Sequence, residues 1–239
     1  MLSNLIVEST LNKLPQIPHL PLNIEFDAGR ILEEIQNLEL TPYNSWEDIK
    51  DGLDIKSTWD SISLYSISGD TQSDEKEPWT GDFKETDAIK KCPYLKEVLL
   101  SLGGGDLLAR IERINPNGSA GWHSHVLESK QPDWMSVWQL PIQLPENSKF
   151  SVLHYMDYRC SDFNNPIPVY EESYKIGQVY CFNSHHYHNA FNYGDSPMIT
   201  VRIYVDTRKP QIKNILESSI NKYSGNYMQT YEQYCNTPK

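Results

Sequence analysis

Between residues 106 and 206 the chain carries five short runs suited to strands, each bounded by turn-forming residues. They are Leu107–Ile114, Met135–Leu144, Lys149–Met156, Gln178–Phe182 and Met198–Asp206. Turn signals, Asn115-Pro116-Asn117-Gly118 and Pro145-Glu146-Asn147, lie between them. The last run alternates cleanly. Ile199, Val201, Ile203 and Val205 face one way; Thr200, Arg202, Tyr204 and Asp206 face the other. Short strands joined by turns close into a sandwich or a barrel. The expected class is therefore mainly β with flanking helices.

The flanks read differently. Residues 1–25 are rich in proline and suit an extended arm lying on the domain. Asp27 to Leu38 has helical spacing, with Ile31, Ile35 and Leu38 on one face. Trp46 to Ser68 mixes a loop with the strand-like run Ser61–Ile67, and the acidic stretch Gly69 to Gly81 reads as a surface loop or flap. Thr86 or Asp87 caps a short helix, and Pro93 opens another that runs to Leu102 and stops at Gly103-Gly104-Gly105. Beyond Pro210 a helix is expected from Gln211 to Tyr223, with Ile212, Ile215, Leu216 and Ile220 as its buried stripe. The expected organisation is one domain over 1–239. Residues 1–105 form a helical and extended part, 106–207 the barrel core and 208–239 a C-terminal helical segment.

A chain of 239 residues buries a substantial core. Its net charge of -11 argues against a nucleic-acid or anionic-membrane role, since both need a basic surface. No apolar run approaches the ~20 residues that span a bilayer. Met1 to Pro21 lacks the pattern of a signal peptide. Cys92, Cys160, Cys181 and Cys235 form no CxxC pair and read as reduced thiols of a cytoplasmic protein.

Five of the seven histidines fall in two short segments. The first is Gly121-Trp122-His123-Ser124-His125. The second begins at Gly177-Gln178-Val179-Tyr180-Cys181-Phe182 and continues through His185, His186 and His188 to Asn192 and Gly194. On a strand, residues two apart share a face, so His123 and His125 can reach one ion together with the distant His188. Such a set suits iron(II), zinc, manganese or copper. A single histidine is more often an ordinary residue bonded to carbonyl groups. The joint pattern favours a metal, with His185 and His186 outside the set.

These segments resemble the iron(II)/2-oxoglutarate-dependent dioxygenases, most of all the aspartyl/asparaginyl β-hydroxylase-like group. The distal half of the resemblance is Gly177-x-Val179-x-x-Phe182, His188, Asn192, Gly194 and Arg202-Ile203-x-Val205-Asp206. The proximal half is Ala109-Arg110-Ile111-x-Arg113-Ile114-x-Pro116-x-Gly118, leading into Trp122-His123-x-His125, then Gln139-Leu140-Pro141-Ile142. The resemblance spans roughly residues 106–207. It implies a double-stranded β-helix, that is, a cupin-like jelly-roll barrel. It further implies iron(II), 2-oxoglutarate as co-substrate and dioxygen, acting on an amino acid, a peptide side chain or another small metabolite. His123, His125 and His188 would be the metal ligands. Arg202, Thr200 and Gln139 would hold the co-substrate. An apolar wall would protect such chemistry, and Trp122, Trp138, Tyr180 and Phe182 could supply it, although each taken singly reads more readily as ordinary core packing.

Two departures leave alternatives open. The family commonly has an acid where His125 stands. The site is therefore a three-histidine set, a two-histidine set beside a bystander His125, or one that uses Glu128. The family's arginine sits nearer the distal histidine, where this chain has Met198; Arg202 is shifted along the strand but keeps the face, because a shift of two preserves side-chain direction. A different cupin-type metalloenzyme, with three histidines and no need of 2-oxoglutarate, fits Gly118 through His123-x-His125 to Glu128 and Gly177 through His188 to Asn192. In that comparison Asn183 and His185 replace the usual proline and glycine. A non-catalytic barrel is the third alternative. The oligomeric state is not legible.

Overall fold

The computed structural model describes residues 19–42, 59–72, 81–121, 134–153, 169–182 and 188–235. Its centre is an antiparallel sheet of eight strands. In chain order these are β1 (His19–Glu25), β2 (Thr41–Pro42), β3 (Trp59–Ser66), β4 (Lys84–Glu85), β5 (Ala109–Ile114), β6 (Met135–Gln143), β9 (Gln178–Phe182) and β11 (Met198–Asp206). They lie in the order β1-β9-β6-β11-β5-β3-β2, with β4 beside β3. The strands β7 (Ser148–Leu153), β8 (Val169–Glu172) and β10 (His188–Asn192) form a second sheet, ordered β10-β7-β8. Two facing antiparallel sheets with crossing connections make the expected cupin-like jelly roll.

Helices cover the outer face of the large sheet. They are α1 (Ala28–Ile35), α2 (Asp87–Lys90), α3 (Pro93–Ser101) and α4 (Pro210–Cys235). Asp27 caps α1 by accepting from Arg30 N, and Thr86 caps α2 by accepting from Ala88 N. Cys92 gives α3 no side-chain cap. Instead the Glu34 carboxylate of α1 accepts from Tyr94 N and Leu95 N at 2.8 and 3.0 Å, so one helix closes the start of the other. The stripe Ile212, Leu216 and Ile220 of α4 packs on the sheet with Leu20, Leu22, Trp138, Leu140, Val201 and Ile203. Among the described residues no helix is long and apolar enough to cross a membrane.

Several expectations change in detail. The stretch expected as an extended arm lying on the domain supplies β1, an edge strand whose His19, Leu20 and Pro21 pair with Phe182, Cys181 and Tyr180 of β9. Pro21 is tolerated there because an edge strand need not donate on its outer side. β8 and β10 were not foreseen; both are short and carry no sustained apolar alternation. The final helix continues past Tyr223 to Cys235. The expected turns at 115–118 and 145–147 form, with Asn117 and Asn147 at φ 60 and 70.

Two motif residues are explained by backbone geometry. Asn192 Nδ2 donates to Ile114 O and Ser196 O, and its Oδ1 accepts from Gly194 N, so one amide shapes the link from β10 to β11. Gly177 turns the chain into β9 at φ +81, and a Cβ there would meet Phe26 O at 2.6 Å. Gly177→Ala combines a left-handed backbone with a clash against main chain. It should lower stability by about 1–3 kcal/mol. Equilibrium urea unfolding measures the loss; a change within error of zero would show that the turn relaxes freely.

Candidate functional site

A cavity with about 550 Å³ of empty space, its open mouth included, lies between the two sheets. Its floor follows from strand register. Cross-strand partners in antiparallel sheets point to the same face. Arg202 of β11 faces Arg110 of β5 and Gln139 of β6, and Thr200 faces Glu112 and Pro141. The apolar side chains alternating with them, Val201, Ile203, Leu140 and Ile111, enter the helix-covered core. Both faces of β11 are thus buried, and its polar face lines the cavity instead of meeting solvent. Glu112, Gln139, Thr200 and Arg202 all line it.

Arg202 is 9 % exposed and Glu112 7 %. Arg202 Nε lies 3.0 Å from Glu112 Oε1. The distance is that of an ion pair, but neither atom forms an aligned hydrogen bond. The pair therefore anchors the charge of the guanidinium without using its donors. A guanidinium presents five N–H groups in a planar fork suited to a carboxylate.

The small sheet supplies the opposite wall. His188 opens β10, opposite Val152 of β7, and is buried against the cavity beside Asn189 and Ala190. Phe150 and Tyr174 stack at 3.8 Å, and Tyr174 stacks on Tyr180 at 3.8 Å. His19 Nδ1 lies 2.5 Å from the Tyr174 hydroxyl, bringing the edge strand to the cavity wall. Trp59, Ile114 and Met198 form an apolar end.

Of the residues expected in the site, the structure brings together His188, Arg202, Thr200 and Gln139. His123, His125, Glu128 and Trp122 lie outside the described residues, as do His185 and His186, and the side chain of Phe182 is not described. Trp138 takes the core-packing alternative and not the pocket wall. It points away from the cavity into the helix-side core, because it alternates with Gln139, and its Nε1 donates to Ser136 Oγ. Tyr180 stands behind Tyr174 and is not itself a lining residue. Burial pushes the Cys92 and Cys181 thiols up to about 11, so neither is a thiolate donor near neutral pH.

Among the described residues no group of three His, Cys, Asp or Glu side chains is arranged to hold a metal ion. His188 is the single member of the expected ligand set among them. The chain leading to His123 is nevertheless placed. Ala120 N donates to Ala190 O, Asn192 N donates to Gly118 O, and Ser119 bridges Phe191. The described chain thus reaches Gly121 running antiparallel to β10, the strand His188 opens. In kind, the described donor, one buried imidazole on the cavity wall, fits a divalent transition metal.

Glu112, Asn189, His19 and Tyr174 were not foreseen as site residues. Glu112 carried no signal of its burial: in Arg110-Ile111-Glu112 the charged residues alternate with a core residue, as on a strand with one solvated face. His19, alone in a proline-rich stretch, carried none.

The sequence matches no protein-family model and none of the curated proteins. Solved structures do share its fold. One is an oxidoreductase of the 2OG-Fe(II) oxygenase family from Burkholderia pseudomallei, with a TM-score of 0.52 and 13% identity, covering 83% of this chain and 89% of that one. Another is the non-heme alpha-ketoglutarate-dependent carbocyclase SnoK from nogalamycin biosynthesis, with a TM-score of 0.51 and 11% identity, covering 84% of each chain.

Proposed function

We propose that this chain is an iron(II)- and 2-oxoglutarate-dependent oxygenase that hydroxylates an amino acid, a peptide side chain or another small metabolite. The observation that carries the reading is Arg202. Its guanidinium is buried on the cavity floor, across from the wall that His188 opens, and makes no hydrogen bond among the described residues. A buried fork with unused donors suits the far carboxylate of a 2-oxo acid. Thr200, one residue pair along the same face, adds a hydroxyl for that carboxylate, and Gln139 adds an amide.

His188, His123 and His125 would hold the iron. When bound, iron would supply dioxygen activation coupled to oxidation of 2-oxoglutarate. The protein's own part is placement. Arg202 and Thr200 fix the far end of the co-substrate. Phe150, Trp59 and Met198 exclude water from the apolar end, which limits side reactions.

One observation favours the alternative cupin-type reading. Glu112 already gives Arg202 a carboxylate, so the arginine has a protein counter-charge without any co-substrate. An anaerobic spectrum decides between them. The iron(II) protein should gain a metal-to-ligand charge-transfer band when 2-oxoglutarate is added. Iron binding with no new band, and oxygen uptake indifferent to 2-oxoglutarate, would favour the alternative.

A further inference from the structure

The cavity holds buried acceptors that 2-oxoglutarate cannot satisfy. Glu112, Gln139 and Asn189 line it and are 7 %, 5 % and 4 % exposed. One oxygen of each, Glu112 Oε1, Gln139 Oε1 and Asn189 Oδ1, is buried and makes no hydrogen bond among the described residues. An unsatisfied buried acceptor is costly, so a ligand is expected to complete it. The two amides can turn over and present N–H groups instead. A carboxylate has no such choice, because ionised Glu112 only accepts. The 2-oxoglutarate dianion also only accepts, through two carboxylates and a ketone. Between it and Glu112 there is repulsion and no hydrogen bond.

We infer that Glu112 selects the primary substrate, and that this substrate presents a cationic nitrogen, an ammonium or a guanidinium, to the Glu112 carboxylate. Gln139 and Asn189 take its further N–H or O–H donors. The inference rests on the oxygenase reading for the identity of the co-substrate. Local pairing supports it. Among the described residues the ion pair of Glu112 is with Arg202, and Arg110, buried on the same face, does not line the cavity. Once a co-substrate carboxylate takes the Arg202 fork, a cation on the substrate gives the Glu112 carboxylate a partner inside the cavity, and buried charges need such pairing. The net charge of -11 also draws cations toward the chain and repels anions.

The test uses the full chain loaded with manganese(II), which occupies similar sites without requiring turnover. Calorimetry with 2-oxoglutarate present compares L-arginine with L-citrulline and L-lysine with L-norleucine, in the parent and in Glu112→Gln. In the parent at least one cationic probe should bind about tenfold or more tighter than its neutral counterpart. In Glu112→Gln that preference should shrink to about twofold or less, while 2-oxoglutarate binds as well as before or more tightly. A parent that binds 2-oxoglutarate yet prefers no cationic probe overturns the inference. So does a Glu112→Gln protein that keeps the preference and loses 2-oxoglutarate, which would make Glu112 a positioning residue for Arg202. Failure of the parent to bind 2-oxoglutarate sinks the oxygenase reading instead, and the cation preference, measured without it, then tests Glu112 alone. The preference within the parent decides the matter should the variant not fold.

Discussion

His188→Ala should give a folded protein that retains no stoichiometric iron and no oxygenase activity. The fold should survive because Asn192 holds the link after β10. The metal should not, because His188 is the proposed donor on the small sheet, buried where the cavity wall begins. Loss of a direct donor should exceed the roughly 10–100-fold loss of affinity typical of removing a supporting partner. His123→Ala should behave alike. His125 separates the ligand alternatives. If it replaces an acidic ligand, His125→Ala should weaken metal binding while His125→Asp keeps it. Unchanged affinity in His125→Ala would make it a bystander. Metal analysis after dialysis reads all four variants. A crystal grown with manganese should place the His123 and His188 imidazoles near ~2.1 Å from the ion, and a separation beyond ~3 Å would remove that residue from the set.

What could be read in the sequence depended on how each residue meets its neighbours. β11 was legible because its alternation is carried by four β-branched residues on one face. The same alternation put Thr200 and Arg202 together, and the structure keeps them together on the cavity floor. α3 was legible from Pro93 and the three glycines, since helix starts and stops are local. β10 was not, because His188-Asn189-Ala190-Phe191-Asn192 owes its strand to pairing with β7 and not to its own propensity. Trp138 was left between wall and core for a related reason. A large aromatic residue next to Gln139 suits a pocket wall or a core equally, and only the register with Cys181 and Ile203 decides the face. The pairing of Glu112 with Arg202 joins two strands far apart in sequence, and no local pattern announces such a contact.

Arg202→Ala should weaken 2-oxoglutarate binding by at least about tenfold, one ~1.4 kcal/mol step, and by as much as ~2–5 kcal/mol if the carboxylate is left unpaired. Iron binding should stay nearly intact, because Arg202 is not a ligand. The ion pair adds a second effect. Removing one partner of a buried pair leaves the other uncompensated, at a cost of about 3–5 kcal/mol of stability. Arg202→Ala should therefore also unfold at a lower temperature. The two effects separate in the double variant Arg202→Ala, Glu112→Gln. There the stranded charge is gone, so much of the lost stability should return. Binding of 2-oxoglutarate should not return, because nothing replaces the guanidinium fork. A calorimetric titration and a thermal melt on these two variants, on Glu112→Gln alone and on the parent decide it. Equal 2-oxoglutarate affinity in Arg202→Ala and the parent would reduce Arg202 to a structural partner of Glu112 and shift weight to the cupin-type reading. Recovery of both stability and binding in the double variant would mean that Arg202 acts only by holding Glu112 away from the ligand.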